Sequence, residues 1–210
     1  MKDTSIGKYL TDLGSSSPAP GGGSSAALSG AMGAALVSMV ANLSVGREKY
    51  SEFQDLICET LSRAEKLISE LTFCIKKDMT AFDGVMAAFR MSKNNEEEKS
   101  ARSAAIQNAY KTATAAPVET AEKCLEVMTL AEKLLFKSNS TAACDLSAAA
   151  IEARAGILIA LENVNVNLAA IHDTEYVIKM RSWVENIESE SKNLLDIIRN
   201  GVSEMMGVKN

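Results

Sequence analysis

Proline, histidine and tryptophan are nearly missing from this chain: three, one and one in 210 residues. So few prolines leave no material for a proline-rich linker. The lone His172 precludes a histidine-rich metal site and is expected at a helix end. The four cysteines, Cys58, Cys74, Cys124 and Cys144, stand far apart, and no CxxC pair occurs. A zinc site of paired thiolates is therefore excluded, and no metal is expected. No signal-peptide pattern is present, so reduced, mostly buried thiols in a cytoplasmic protein are expected. No stretch alternates polar and apolar residues with β-branched enrichment, so no strand is expected. The net charge of −5 argues against a general nucleic-acid binder, though it leaves room for a local basic pocket facing an acidic ligand. The apolar segment 28–43, about 16 residues long and broken by Ser29, Gly30, Gly33 and Ser38, is too short and too rich in small residues for a membrane span. A buried, closely packed helix fits it better.

What is present favours helix nearly everywhere. Ala, Leu, Glu, Lys and Met dominate, with 47% hydrophobic and 23% charged residues, an ordinary balance for a globular chain. The spacing predicts a short amphipathic helix over 5–13, then a helix from Ser24 to about Leu43 that is apolar almost all round and hence central. A long helix is expected from Tyr50 to Phe89, with Leu56, Leu67, Leu71 and Ile75 in helical period. A polar turn over 92–102 follows, in which Asn95 before Glu96, Glu97 and Glu98 reads as a cap. Another helix reaches about Ala115, and Pro117 either starts or kinks the next, which runs over 118–136 with a break near Met128. A second largely apolar helix is expected over 139–171, and Asp173 caps a final helix to about Met206. No repeat or linker divides the chain. The reading is all-α: a multihelical bundle with two buried central helices, one domain over residues 1–210. Its small-residue faces make a homodimer the expected assembly.

The run Ser17-Pro18-Ala19-Pro20-Gly21-Gly22-Gly23-Ser24-Ser25 stands out. Prolines fix φ, and three glycines then let the backbone pass close to a neighbour. Ser24 or Ser25 stands where an N-cap belongs, and a helix N-terminus there suits a carboxylate or phosphate. The alternative is a tight turn for close helix packing. Neither a Walker lysine nor GxGxxG spacing is present, so nucleotide binding is unsupported.

Polar groups interrupt the second apolar helix. At about 100° per residue, Asp145, Glu152, Gly156, Asn163 and Asn167 fall within roughly 60° of one another, with Arg154 opposite Asp145. Asp145 and Asn163 stand about 27 Å apart along the axis. The stripe serves an extended ligand, or ends from two subunits combine, or these groups are buried inter-helix hydrogen bonds. A carboxylate on an apolar helix is costly without a partner or a purpose, which favours a role for Asp145. By pattern alone Asp78, beside Lys76 and Lys77, reads as a solvated acid, and Phe82 one turn on as core packing. Arg47, Lys49 and Tyr50 form either a polar turn or a cationic grip on an acidic ligand, with Tyr50 stacking or donating a hydrogen bond. Lys93 and Lys99 are further cations that their spacing does not single out.

Four segments taken in order resemble one family. They are PAPGGGSSAALSGAMGAALVSMVAN (18–42) with GREKY (46–50), DMTAFDGVMAA (78–88), NSTAACD (139–145) and NVNVNL (163–168). Together they are similar to the formimidoyltetrahydrofolate cyclodeaminase / methenyltetrahydrofolate cyclohydrolase family, across nearly the whole chain. The resemblance implies a small dimeric folate enzyme with sites near the subunit interface. It implies cyclodeamination of 5-formiminotetrahydrofolate to 5,10-methenyltetrahydrofolate and ammonia. The alternative is hydrolysis of 5,10-methenyltetrahydrofolate to 10-formyltetrahydrofolate, and a remote one is a non-catalytic folate-binding or assembly module. It raises Asp78 beside Asp145 as the two proton-transfer candidates, and Phe82 as a surface for a pterin ring. Gly21, Gly22, Gly23, Ser24, Arg47, Lys49, Tyr50, Asn139, Asn163 and Asn167 become substrate-binding candidates, the cations for a folate carrying one or more glutamates. No metal or redox cofactor is implied. Ser138 stands where the family usually has glycine, and Ser92 where proline is common, which puts the local turns in question.

Overall fold

The computed structural model describes residues 4–207, and every described element is helical. Six helices follow in order: α1 (Ile6–Leu13), α2 (Gly22–Asn42), α3 (Gln54–Phe89), α4 (Glu96–Lys133), α5 (Ala143–Leu168) and α6 (Thr174–Met205). Short 3-10 turns, Glu48–Phe53 and Ser140–Ala142, precede α3 and α5. Side chains cap four of the helices or turns. Ser5 accepts from the Lys8 amide, Asn95 from Glu98, Asn139 from Thr141 and Asp173 from Tyr176, each satisfying an orphan N–H of a first turn.

The expected central pair is α2 and α5, and they run antiparallel. Gly22 lies against Asn163 and Ile159, and Gly156 lies against Ala26 and Gly30. At the far end the Asn139 amide donates to Ser44 Oγ at 2.9 Å. A Cβ on Gly156 would fall 2.7 Å from the Ala26 carbonyl oxygen, so the two backbones approach at a distance only glycine permits. Alanines fill the rest of the seam: Ala26, Ala34, Ala41, Ala149, Ala150, Ala153 and Ala160 are all buried. Bulk comes from the helices that wrap the pair. Ile57, Leu67 and Leu71 of α3, Met128 of α4, Leu134 just beyond it and Ile198 of α6 are fully enclosed. Each such side chain contributes about 1.5–3 kcal/mol of burial.

Several sequence expectations need correction. α2 starts at Gly22, so Ser24 and Ser25 lie inside its first turn and the N-cap is Gly21, which offers no side-chain bond. At 21 residues α2 is long and apolar enough to cross a membrane by length and composition, so its length excludes nothing. Its burial between α3 and α5 is what marks it as a core helix. The breaks expected at Ala115 and Met128 are absent: α4 is one helix of 38 residues with Pro117 inside it. Proline removes one i→i−4 bond, here to Ala113, but burial of the flanking turns, including Ala116, Thr120 and Ala121, holds the rod together across the gap. The chain enters α3 through a 3-10 turn, and α5 stops at Leu168 rather than Ile171. α4 begins at Glu96, within the stretch read as a turn.

α3 and α4 are joined along their outer face by ion pairs. Arg63 bridges Glu70 and Glu126, and Lys123 adds a second cation on Glu70. These hydrogen-bonded cations hold the Glu70 carboxyl down at about 2. Lys77 pairs with Glu119 one step further along.

Candidate active site

A cavity of about 300 Å³ opens where the C-terminal half of α3, the middle of α4 and the end of α5 meet, with the N-terminus of α2 packed against its Asp78 and Asn163. Asp78, Phe82, Tyr110, Pro117, Asn163 and Asn167 line it. Its size and mixed lining suit a small organic ligand held by a few polar groups in an apolar shell.

Asp78 is the acid of this cavity. The fully buried Ser24 donates its hydroxyl to Asp78 Oδ2 at 2.9 Å. A Cβ on Gly23 would lie 2.1 Å from Asp78 Oδ1. The glycine run and Asp78 therefore belong to one construction. The N-terminus of α2 does take an anion, as its backbone suggests, and that anion is the protein's own carboxylate. Burial raises the Asp78 pKa above the ordinary range, and the Ser24 hydroxyl and amide oppose the rise. A carboxyl with its pKa moved toward neutrality is suited to proton transfer.

The sequence candidates divide between the two ends of the central pair. At the α2 N-terminal end lie Asp78, Phe82, Asn163 and Asn167 around the cavity, with Gly22, Gly23 and Ser24 against them; Gly21 caps the helix there. Asn163 Nδ2 donates to the Ile159 carbonyl at 2.8 Å, which fixes the orientation of its amide. At the opposite end lie Asn139, Asp145 and the segment Arg47 to Tyr50. Asn139 Oδ1 accepts from Thr141. Tyr50 is buried in the core, with the Lys49 ammonium 5.3 Å from its ring centroid, and Arg47 is exposed. Asp145 is half-buried in the first turn of α5 and forms no ion pair among the described residues. The Arg154 Nε is buried and has no hydrogen-bond partner there. Within one protomer, about 27 Å of α5 separates Asp145 from Asn163.

Among the cavity residues that sequence reading missed, three stand out. Tyr110 and Phe89 meet edge to face with centroids 6.2 Å apart, and both line the cavity. Arg102 braces them, donating to the Phe89 carbonyl at 3.0 Å and lying over its ring. Pro117 is the third, and its missing N–H leaves the Ala113 carbonyl on the same wall without its helical donor. In a chain with 5% aromatic residues, two aromatics flanking a turn and a lone mid-helix proline were the available signals. Among the described residues, no group of three or more His, Cys, Asp or Glu gathers as metal ligands.

Residues 5–186 match the family model described as formiminotransferase-cyclodeaminase. A protein named methenyltetrahydrofolate cyclohydrolase from Methylorubrum extorquens is 43% identical over 89% of each chain. The rat (Rattus norvegicus) protein named formimidoyltransferase-cyclodeaminase is 30% identical over 91% of this chain, which spans 36% of that longer protein. Among solved structures, a formiminotetrahydrofolate cyclodeaminase from Thermotoga maritima superposes with a TM-score of 0.87 at 26% identity, covering 98% of both chains.

Proposed function

The chain belongs to the formiminotransferase-cyclodeaminase family, and on that premise we propose that it is a folate one-carbon enzyme working on the carbon shared by N5 and N10. The observation that carries this reading is the pairing of a buried, Ser24-held Asp78 with an aromatic-walled cavity.

In cyclodeamination, the N10 lone pair of 5-formiminotetrahydrofolate attacks the formimino carbon. N10 loses a proton, the former imine nitrogen gains protons, and ammonia leaves. The product is the 5,10-methenyl cation. In hydrolysis, water adds to that same carbon and gives up both its protons; the N5–C bond breaks with its electron pair going to N5, which takes one of them, and 10-formyltetrahydrofolate and one free proton result. Both need one group that accepts and returns a proton, and negative charge close to an amidinium-like carbon. Asp78 supplies both when ionised. Phe82 and Tyr110 offer flat apolar surface for the ring system, and the Asn163 and Asn167 amides supply hydrogen bonds to its edge. Neither reaction changes oxidation state, so no redox cofactor is needed. The likeness to the Thermotoga maritima cyclodeaminase over 98% of both chains supports the first reaction. The 43% identical cyclohydrolase of matching length favours the second.

Asp145 enters this reading through a second subunit. Met32, Met39 and Leu43 on α2 or just beyond it and Ile151 on α5 leave apolar side chains exposed along the central pair, as a subunit interface would. Arg154 carries a guanidinium nitrogen still in want of an acceptor. A two-fold axis across an antiparallel pair exchanges its ends. A homodimer of that kind carries Asp145, Arg47 and Lys49 of one copy toward the Asp78 cavity of the other. Asp145 then acts as the second proton-transfer group, Asn139 lies beside it, and the two cations hold the glutamate tail.

The test is a side-by-side assay in which the near-ultraviolet absorbance of the methenyl compound reports its formation from the formimino substrate and its loss by hydrolysis. Turnover of either substrate above the buffer rate is expected, and the faster of the two names the reaction. No turnover of either at enzyme concentrations near that of substrate contradicts the proposal.

A further inference from the structure

The first helix holds a residue that nothing above assigns. α1 is only eight residues long and turns Ile6 and Leu10 outward, where both are exposed. Tyr9 points the other way and is 7% exposed. Its ring packs with Ala27 of α2 and with Cys74 and Ile75 of α3, and Leu13 and Leu28 close the cluster. Ala27 lies one turn beyond Ser24, and Cys74 one turn before Asp78. The phenol is therefore wedged between α2 and α3, one turn from the Ser24–Asp78 bond. Its hydroxyl is buried and has no hydrogen-bond partner. A buried orphan hydroxyl is costly, and phenylalanine would fill the same apolar cluster without that cost.

We propose that Tyr9 is a positioning residue for Asp78, its hydroxyl being a donor that the Asp78 carboxylate takes up when it ionises. The proposal rests on Asp78 being the proton-transfer group. Burial leaves Asp78 reluctant to ionise, with Ser24 the one side-chain donor on it among the described residues. The negative charge of Asp78 is also felt at Tyr9, where it adds to the effect of burial and pushes the phenol pKa up. At working pH the phenol is therefore a donor, never a competing anion. Turning the ring or Asp78 toward the other gives the carboxylate a second side-chain donor without adding a positive charge, so the acid still takes a proton when the reaction requires it.

The other groups around Asp78 leave this role open. α2 presents only Ser24, and α5 the neutral amide of Asn163. On α3 itself, the Cys74 thiol is pushed up by burial, and Lys77 is engaged by Glu119. On α4, Tyr110 faces the cavity from the opposite wall.

The experiment compares wild type with Tyr9→Phe in two ways. The first is kcat/KM against pH on whichever folate is turned over. The second is the carbon-13 carboxyl titration of Asp78, assigned by its disappearance in Asp78→Asn. In Tyr9→Phe both the acid limb and the titration are expected to move up by about one pH unit, with KM little changed and the melting temperature kept or raised. An unmoved or lowered Asp78 titration overturns the proposal. If neither folate is turned over, the function fails while the titration still decides on Tyr9. If Tyr9→Phe does not fold, Tyr9→Leu is titrated in its place with the same two outcomes.

Discussion

Ser24 and Asp78 are 54 residues apart in the chain and 2.9 Å apart in the fold. That bond ties the first turn of a core helix to the C-terminal half of its neighbour. The absent side chain of Gly23 makes it possible, since a Cβ there would overlap Asp78 Oδ1. The glycine run serves an internal carboxylate, and the cavity inherits the position of that carboxylate.

Gly23→Ala should therefore damage function more specifically than Gly22→Ala. A Cβ at Gly22 meets Asn163 and Ile159 at ordinary contact distances of 3.5 and 3.8 Å, whereas at Gly23 it displaces Asp78. We expect Gly23→Ala to cost about 1–3 kcal/mol of stability and at least tenfold in kcat. Gly22→Ala should stay within a few-fold of wild type in both. Thermal melts and steady-state kinetics on the pair decide it, and equal behaviour of the two variants would contradict this account of the turn.

The ion pairs between α3 and α4 set an acid limit. Glu70 titrates at about 2 in the folded protein against an ordinary 4.5. A lowered carboxylate contributes stability that is fully present above 4.5 and is lost as pH falls toward 2. Chemical denaturation from pH 6 to 2.5 should show stability falling through this window. Glu70→Gln should be less stable at pH 6 and fall less steeply. Its partial exposure and the surrounding salt keep the effect modest. Parallel curves for the two proteins would show that Glu70 contributes nothing to the slope.

The proposed composite dimer is tested by a complementation experiment. Asp78→Asn and Asp145→Asn should each be nearly inactive, yet dimers formed from an equal mixture should regain about a quarter of wild-type activity, because half are mixed and each mixed dimer holds one intact site. Recovery of nothing after verified subunit exchange would place Asp78 and Asp145 in separate sites.

Much of the fold was legible because helix formers, an apolar pattern and small-residue faces all agree. α2 was recognisable as a buried helix from its lack of a polar face, and α5 from its largely apolar, alanine-rich sequence. Their glycines marked a close approach, and Asn95 and Asp173 read correctly as caps. Element ends were less legible: the first turn of α2 is set by Asp78, far along the chain, which packs against Gly23 and takes the Ser24 hydroxyl, and no local propensity encodes that. Pro117 was misplaced for a related reason, since tertiary packing carries α4 through a residue that would end an isolated helix. Asp78 was the hardest to judge. Lys76 and Lys77 beside it suggested solvent, but Lys77 turns to Glu119 on α4 while Asp78, one residue on, turns to Ser24. Tyr110 and Tyr9 gave no periodic signal, because each acts through a neighbour brought by the fold.

If Asp78 performs the proton transfer, the turnover of Asp78→Asn must show it. The substitution keeps the shape and a hydrogen-bond acceptor for Ser24, and removes basicity. Because burial raises the Asp78 pKa, its ionised form burdens the fold once pH rises through the raised value, and the neutral amide lifts that burden. We expect Asp78→Asn to melt at or above the wild-type temperature at neutral pH, to bind folate within a few-fold, and to lose roughly 10²-fold or more in kcat on either folate substrate. A well-folded Asp78→Asn protein with near-normal kcat would contradict the account.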